Sequence, residues 1–294
     1  MVYSPLGELE TNQDQVNIYG VVVDASLPYK TANNKYVCTI KVIDQSHHTL
    51  GTEARDSYKF INCIFHGKRI EDCPQIRCIG DTIRIHRASV KEHGSQKQLH
   101  VNVVFNSSWV LFGCEDIDDE MSDGEGNENG GNKYERKYKP YRFSGKNHSF
   151  DGQIEKAILD QIRGWARSYL NENTVIHKSS YTSLREVRNI TEKRDIDLLV
   201  KIMRVFEKDE MSYEIKIKDL SGDSSWIMTV NKLKFSEFNP GEIYRIRSVV
   251  AERTTERNVI TCKSTTNILR FSKDSLIYRE LDIDVKEDVE DDPN

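Results

Sequence analysis

The sequence lacks any apolar run long enough to cross a membrane as a helix. Its longest apolar stretches, Ile18–Val23 and Ile40–Ile43, are far shorter than the roughly 18 residues that a bilayer span requires. The N-terminus also lacks the basic segment followed by an apolar one that a secretory leader would show. We therefore expect a soluble protein that is neither membrane-bound nor secreted.

Paired cysteines and the common catalytic motifs are missing as well. None of the six cysteines forms a CxxC pair, and Cys38, Cys63 and Cys262 lie within apolar strand patterns, where a reduced thiol packs as a small hydrophobic group. The sequence contains no HExxH, GxxxxGK(S/T) or GxSxG motif. We therefore expect no disulfide framework, no zinc site, no cofactor and no enzymatic activity.

The negative charge of the chain is concentrated in two segments. The formal net charge is −5, yet residues 115–128 alone carry eight acids and no base, and residues 276–294 carry −6. The rest of the chain is therefore at +9, which suits a polyanionic partner. A charged surface that serves only solubility would give the same composition, so charge leaves both interpretations open.

The sequence divides into two halves at an acidic segment. From Glu115 to Asn132, acids, glycines and asparagines replace all apolar periodicity, as in a disordered linker. A segment that mixes bases with aromatics follows, up to Lys146. The predicted organisation is a first domain over residues 1–114, an acidic and then basic linker over 115–146, a helix with a second domain over 147–275, and an acidic tail over 276–294.

Each half contains five segments with strand patterns. In the first half they are residues 16–24, 36–44, 58–65, 81–90 and 97–112, and in the second half 198–206, 213–219, 226–230, 242–251 and 258–271. Apolar residues at helical spacing after Asp151 predict one long helix. A short helical stretch near residues 66–73, before the fourth strand, matches the order of an OB fold. The sequence predicts a mainly all-β protein with two tandem five-stranded OB-fold barrels, joined by the acidic linker and the helix.

The two halves are also similar to each other in sequence. KVIDQS (Lys41–Ser46) precedes IGDTIRIHRASV (Ile79–Val90), and KIKDLSG (Lys216–Gly222) precedes PGEIYRIRSVV (Pro240–Val250). In each half a strand ends in an Asp turn, and a Gly-acid turn opens a strand with Arg at the same offset. This internal repeat supports two copies of one barrel.

Several motifs in the same order resemble the telomere end-binding protein alpha subunit of ciliates, whose family includes the protection-of-telomeres proteins. They are the run from Ile18 to Ser46, RIHRASV, FNSSW, PYRFSGK and RGWARSYL. The resemblance implies binding of the single-stranded, G-rich 3′ overhang at nuclear telomeres, for end protection or telomere replication. Longer family members carry a third OB fold for partner binding. This chain is similar to a short form without it, so we expect telomeric DNA and telomere or replication proteins as partners rather than a second subunit.

In the first half, the resemblance implies DNA contacts through loop and strand residues. They are Tyr29, Lys30, Lys41, Phe65, His93, Gln98 and Phe105. Aromatic rings would stack on bases, at about 1 to 3 kcal/mol each, and lysines would meet phosphates or base edges. For each aromatic residue, burial in the barrel core is the alternative.

In the second half, the resemblance implies contacts from Asp195, Asp197, Arg245 and Arg247. A carboxylate can accept both N–H groups on the Watson–Crick edge of guanine, and arginine can bind phosphate or guanine O6 and N7. Alternatively, these acids and arginines pair with one another across the barrel. A general single-stranded DNA-binding protein of the replication type and an OB-fold adaptor for proteins stay open as other functions.

Overall fold

The protein is described by a computed structural model over residues 1–46, 60–94, 96–114, 138–145, 153–175, 180–222, 225–232, 238–254 and 258–283. Two compact units divide the chain, Met1–Leu170 and Asn171–Asn294. The predicted acidic segment 115–132 and the tail beyond residue 283 lie outside the described residues. Among the residues that are described, no helix has the length and apolar character of a membrane span.

The first unit contains a closed five-stranded barrel. The described strands of this unit are β1 (Val16–Ala25), β2 (Tyr29–Lys30), β3 (Tyr36–Ile43), β4 (Ile61–Gly67), β5 (Cys78–Ile79), β6 (Thr82–His93), β7 (Gln96–Asn102), β8 (Ser108–Phe112) and β9 (Arg142–Phe143). The barrel itself consists of β1, β3, β4, β6 and β7. Antiparallel pairs join β1 to β3, β3 to β4, β7 to β6 and β6 to β1. The parallel pair β4–β7 closes the circle. This arrangement confirms the OB fold predicted for the first half.

The second unit repeats this topology. Its strands are β10 (Arg194–Glu207), β11 (Ser212–Lys218), β12 (Trp226–Asn231), β13 (Ile243–Arg253) and β14 (Asn258–Phe271). Antiparallel pairs join β10 to β11, β11 to β12, β13 to β14 and β10 to β13, and the parallel pair β12–β14 closes the barrel. Isoleucine, leucine, valine and methionine side chains from all five strands fill its core.

The repeated Asp turns hold short helices at matching places in the two units. Asp44 accepts the N–H of Leu6 at 2.7 Å, at the start of the 3-10 helix Leu6–Glu8. Asp219 accepts the N–H of Leu184 at 2.7 Å, at the start of helix α2 (Leu184–Val187). The carboxylates therefore satisfy helix N-terminal donors that would otherwise lack a partner.

Both barrels interrupt their fourth strand with a residue in the left-handed conformation. Arg87 in β6 has φ 57° and Ser248 in β13 has φ 58°, and the register with the first strand of the barrel, β1 or β10, shifts beside each of them. Asn17 accepts the N–H of Arg87 at 3.1 Å, and Ser107 donates to its carbonyl at 2.8 Å. These partners stabilise a β-bulge that non-glycine residues rarely adopt.

The same hydrogen bonds recur in the second barrel with different side chains. Asp197 accepts the N–H of Ser248 at 2.9 Å, and Thr266 donates to the carbonyl of Ser248 at 2.8 Å. Asp197 therefore occupies the place of Asn17, and Thr266 that of Ser107.

The long helix packs on the first barrel, which differs from the predicted domain boundary. Helix α1 (Ile154–Glu172) buries Leu159 against Tyr19, Val110 and Phe112 of the first unit. Its buried Glu155 forms an ion pair with Arg84, which is 1% exposed, on β6. Helical periodicity revealed the amphipathic face but not the barrel that covers it, so the helix was expected with the second domain.

The end of the predicted linker folds onto the first barrel as well. Strand β9 pairs with β8, and the partly buried Tyr141 donates to Asp81 at 2.7 Å. Asp81 also accepts the backbone N–H groups of Cys78 and Cys114, both at 3.1 Å. Burial raises the pKa of the Asp81 carboxyl, and these hydrogen bonds oppose that shift. The first unit therefore includes chain on both sides of the acidic segment.

The first part of the predicted acidic tail is folded too. Helix α3 (Ile277–Glu280) and the residues after it bury Ile277, Leu281 and Ile283. The high acid content of this segment obscured these three apolar positions in the sequence.

Candidate nucleic-acid interface

A groove on the surface of the first barrel collects positive charge. Its volume is about 660 Å³, and four cations line it: Lys35, Lys68, Arg87 and Lys91. No carboxylate lines it in the part of the chain that the structure describes. Cations that approach one another without acids between them create a field that favours a polyanion.

Strand register decides which side chains reach this face. The rows Lys41–Asn62–Gln98, Thr39–Ile64–His100 and Val37–His66–Asn102 cross β3, β4 and β7. Paired residues point to the same side of a sheet. Because His66, His100 and Asn102 line the groove, the predicted contacts Lys41 and Gln98 lie on the groove face. Tyr29, which pairs with Val37, belongs to the same face.

Phe65 occupies the opposite side of β4. It is 0% exposed and pairs with the buried Cys38 and Val101 in the core. The prediction that Phe65 stacks on a base is therefore corrected, because neighbouring strand residues face opposite sides and His66 takes the outward position. The sequence pattern that indicates this is the alternation of Ile61, Cys63 and Phe65, which face the core, with Asn62, Ile64 and His66.

Three of the predicted first-barrel contacts are exposed aromatic rings. Phe105 is 77% exposed and Tyr29 is 58% exposed. Phe105 lies in the turn between β7 and β8 and lines the groove, whereas the sequence placed it on a continuous strand. His93 is exposed at the end of β6. Exposed rings are available for stacking at little cost in stability.

Two lysines among the predicted contacts differ in their surroundings. Lys30 is exposed on β2. Lys41 lies 3.6 Å from the Asp24 carboxylate, and its ammonium group lies over the Phe60 ring at 4.4 Å from the ring centroid. Lys41 is thus held in position on the groove face by a carboxylate and a ring.

The groove also contains a histidine pair that the sequence did not single out. The rings of His66 and His100 stack with centroids 5.6 Å apart and an angle of 14° between their planes. Burial and the charge of Lys91 lower the pKa of both side chains below the ordinary histidine value of 6.5. Near neutral pH, the groove therefore presents two uncharged, flat rings among fixed cations.

In the second barrel, the predicted acidic contacts pair with bases. Asp195 forms an ion pair with Lys263, and Asp197 lies 3.9 Å from the Arg247 guanidinium. The alternative of pairing between these acids and arginines thus describes Asp197, whereas Asp195 pairs with a lysine instead. Asp195, Asp197 and Arg247 retain exposed surface, so they stay candidates for contact with bases.

Arg245 lies inside the second barrel. It is 1% exposed and donates to the Asn267 side-chain oxygen at 3.0 Å. Burial and the nearby Arg247 lower its pKa well below the usual value. The prediction that Arg245 contacts DNA is corrected, since its position corresponds to the buried Arg84 of the first barrel in the repeated motif.

Comparison with known proteins agrees with this geometry. A family model described as "Telomeric single stranded DNA binding POT1/CDC13" matches residues 1–176. The chain belongs to this telomeric DNA-binding family. A second model, "Telomere end-binding protein alpha subunit OB2 domain", matches residues 185–283. The family resemblance seen in the sequence motifs is thereby confirmed.

Two relatives of the family illustrate how far the similarity extends. The telomere-binding protein subunit alpha of Stylonychia mytilus is 36% identical over 95% of this chain and 55% of its own length. The telomere-binding protein 51 kDa subunit of Euplotes crassus is 34% identical over 98% of this chain and 62% of its own length. The chain thus spans between half and two thirds of these relatives.

Proposed function

We propose that this chain binds single-stranded, G-rich telomeric DNA at nuclear chromosome ends, as a binding protein and not an enzyme. The observation that carries the proposal is the groove of the first barrel, which among the described residues is lined by four cations, no carboxylate and the exposed ring of Phe105. Single strands bind OB folds through a basic groove that follows the backbone and through rings that stack on bases. Membership of the telomeric family supports the choice of DNA.

Contacts to phosphates and contacts to bases come from different side chains of the first barrel. Lys35, Lys68 and Lys91 are spread around the groove and meet phosphates, whereas Tyr29 and Phe105 offer ring faces to bases. Lys41 and Gln98, on the same face, have donors and acceptors for base edges. The first barrel therefore supplies most of the binding strength.

The second barrel contributes selectivity more than strength. Its exposed carboxylates at Asp195 and Asp197 can accept the guanine N1–H and N2–H groups once the DNA displaces their cationic partners. That exchange replaces one charged contact by another, so its net gain in free energy is small.

A titration by fluorescence anisotropy tests this function. Labelled G-rich DNA, oligo-dT and duplex DNA, each of about 16 nucleotides, are compared over a series of salt concentrations. We expect the G-rich strand to bind most tightly, with a slope of log K against log salt of about −3, since each of four neutralised phosphates contributes roughly −0.7. Equal affinity for oligo-dT would favour a general single-strand binder, and no binding would favour a protein adaptor.

Two variants of equal net charge locate the interface. Lys91→Glu reverses a charge inside the groove, whereas Lys193→Glu reverses one on the second unit, where Lys193 pairs with Glu252 at 3.0 Å. We expect Lys91→Glu to weaken binding by about tenfold or more, because a contact inside the groove is lost. Lys193→Glu should change binding by less than about threefold, because it alters only the long-range charge. Equal effects would show that overall charge, and not the groove, drives binding.

A further inference from the structure

The stacked histidines lie where the first barrel concentrates its positive charge. His66 on β4 and His100 on β7 point to the same face, because His66 pairs with Asn102 and His100 pairs with Ile64. Both line the groove with Asn102. A nucleic-acid strand that fills the groove therefore approaches both imidazoles.

The charged side chains that line the groove, in the part of the chain that the structure describes, are all cations. Lys35 precedes β3, Lys68 follows β4, and Arg87 and Lys91 belong to β6. His93, at the end of β6, acts on His100. Burial and these cations lower the pKa of the two imidazoles, so both are neutral near pH 7 in the free protein. A phosphate in the groove would supply the opposite charge.

We propose that His66 and His100 make DNA binding by the first barrel dependent on pH, because the pair takes up a proton when a phosphate enters the groove. The inference rests on the proposed function. Protonated imidazole is stabilised by the phosphate, and the proton comes from the buffer. By linkage, the complex then binds more protons than the free protein, so affinity rises as pH falls.

The size of the effect is limited by the geometry of the pair. Two imidazolium rings stacked at 5.6 Å would repel each other, so we expect an uptake of about one proton rather than two. One proton corresponds to at most about a tenfold change in the dissociation constant per pH unit. Between about pH 8 and pH 6 we expect binding to tighten roughly 3- to 30-fold.

The experiment uses the full chain and a G-rich oligonucleotide that contains only dG and dT, bases that do not titrate between these pH values. Binding is measured by anisotropy at several pH values and at constant salt. Calorimetry in two buffers of different ionisation enthalpy then counts the protons taken up. The calorimetric measurement needs no variant, so the inference stays testable even if a substitution unfolds the barrel.

The double variant His66→Phe/His100→Phe provides the matched control. It keeps two flat rings and removes both titrating groups, so we expect the pH dependence and the proton uptake to disappear, whatever affinity the variant retains at pH 8. Circular dichroism checks that the variant is folded. His93→Gln is measured in parallel, since His93 also acts on His100.

The outcomes separate this inference from the proposed function. No DNA binding at any pH contradicts the proposed function itself. Three results would overturn the role of the histidine pair while the DNA-binding function stands. They are binding without proton uptake, a pH dependence that survives in the double variant, and a pH dependence that the single variant His93→Gln is enough to remove.

Discussion

In both barrels a left-handed residue interrupts the fourth strand, but the surroundings of that residue differ. Arg87 lies in a groove whose described lining contains cations and no carboxylate, whereas Ser248 lies beside Asp197, which is 3.9 Å from Arg247. The hydrogen bonds that stabilise the bulge are the same in both barrels. The bulge therefore belongs to the fold, whereas the charges around it differ between the two barrels.

The turn beside the bulge also differs in length. In the first barrel, residues 103–106 separate Asn102 and Ser107, whose backbone and side chain are hydrogen-bonded at 3.0 Å. In the second barrel, residues 264–265 separate the equivalent Lys263 and Thr266. The longer segment is a turn that carries the exposed Phe105, whereas the shorter one lies within β14, where Lys263 pairs with Asp195.

The largest expected effect concerns the buried arginines. Arg84 has the carboxylate of Glu155, whereas Arg245 has the amide of Asn267. Glu155→Gln would replace the carboxylate beside Arg84 by an amide, the group that Asn267 presents to Arg245. Because it leaves a buried charge without its counter-ion, we expect the free energy of unfolding to fall by about 3 to 5 kcal/mol, measured by urea denaturation.

The double variant Arg84→Met/Glu155→Leu is the control for that prediction. It removes both charges at once, so it should recover most of the lost stability. If Glu155→Gln changes stability by less than about 1 kcal/mol, an amide serves both arginines equally well, and the contrast between the barrels at this position disappears.

The second effect compares the segments that follow the first strand of each barrel. Tyr29, on the short strand β2, is 58% exposed, and Met211, between β10 and β11, is 50% exposed. Tyr29→Ala should weaken binding of the G-rich strand by about 1 to 3 kcal/mol, because a base loses its stacking partner, with no change in the salt slope. Met211→Ala should have little effect.

Met211→Tyr sharpens this comparison. If the second barrel lacks strength because it lacks a ring in this loop, the new tyrosine should increase the affinity in a direct anisotropy titration. An equal loss for Tyr29→Ala and Met211→Ala would mean that the two barrels share the DNA evenly.

The third effect concerns single cations. Lys68 lines the groove, and Lys263 is paired with Asp195. Lys68→Ala should make the slope of log K against log salt less steep by about 0.7, because one phosphate contact is lost. Lys263→Ala should leave the slope unchanged, and a reduced slope would show that this lysine meets phosphate despite its carboxylate.

The smallest effect concerns the ion pair of the second barrel. Asp195 and Lys263 are partly exposed, so a double-mutant cycle with Asp195→Asn and Lys263→Met should give a coupling energy of about 0.2 to 1 kcal/mol in unfolding experiments. The same Asp195→Asn variant should reduce the preference for dG over dT if the carboxylate accepts from guanine. An unchanged preference for dG over dT would show that Asp195 forms the ion pair and does not contact guanine.

Period-two alternation and the repeated Asp and Gly-acid turns were sufficient to predict two barrels, and the motif order identified the family. These signals are local, because side-chain alternation and turn hydrogen bonds involve residues within a few positions of one another. The same alternation places Phe65 in the core and His66 outside, although likeness to family contacts suggested otherwise. For Arg245, by contrast, alternation alone did not distinguish the barrel interior from its surface.

The sequence by itself thus determined the fold class, the two barrels and the family, since each depends on short-range patterns. The tertiary structure decided that helix α1 packs on the first barrel, because Arg84 and Glu155 are far apart in the chain and meet only after packing. It also decided the groove, whose lining side chains come from separate strands and turns between Gln15 and Ser107. Charges distant in sequence form one electrostatic surface only when barrel closure brings their strands together.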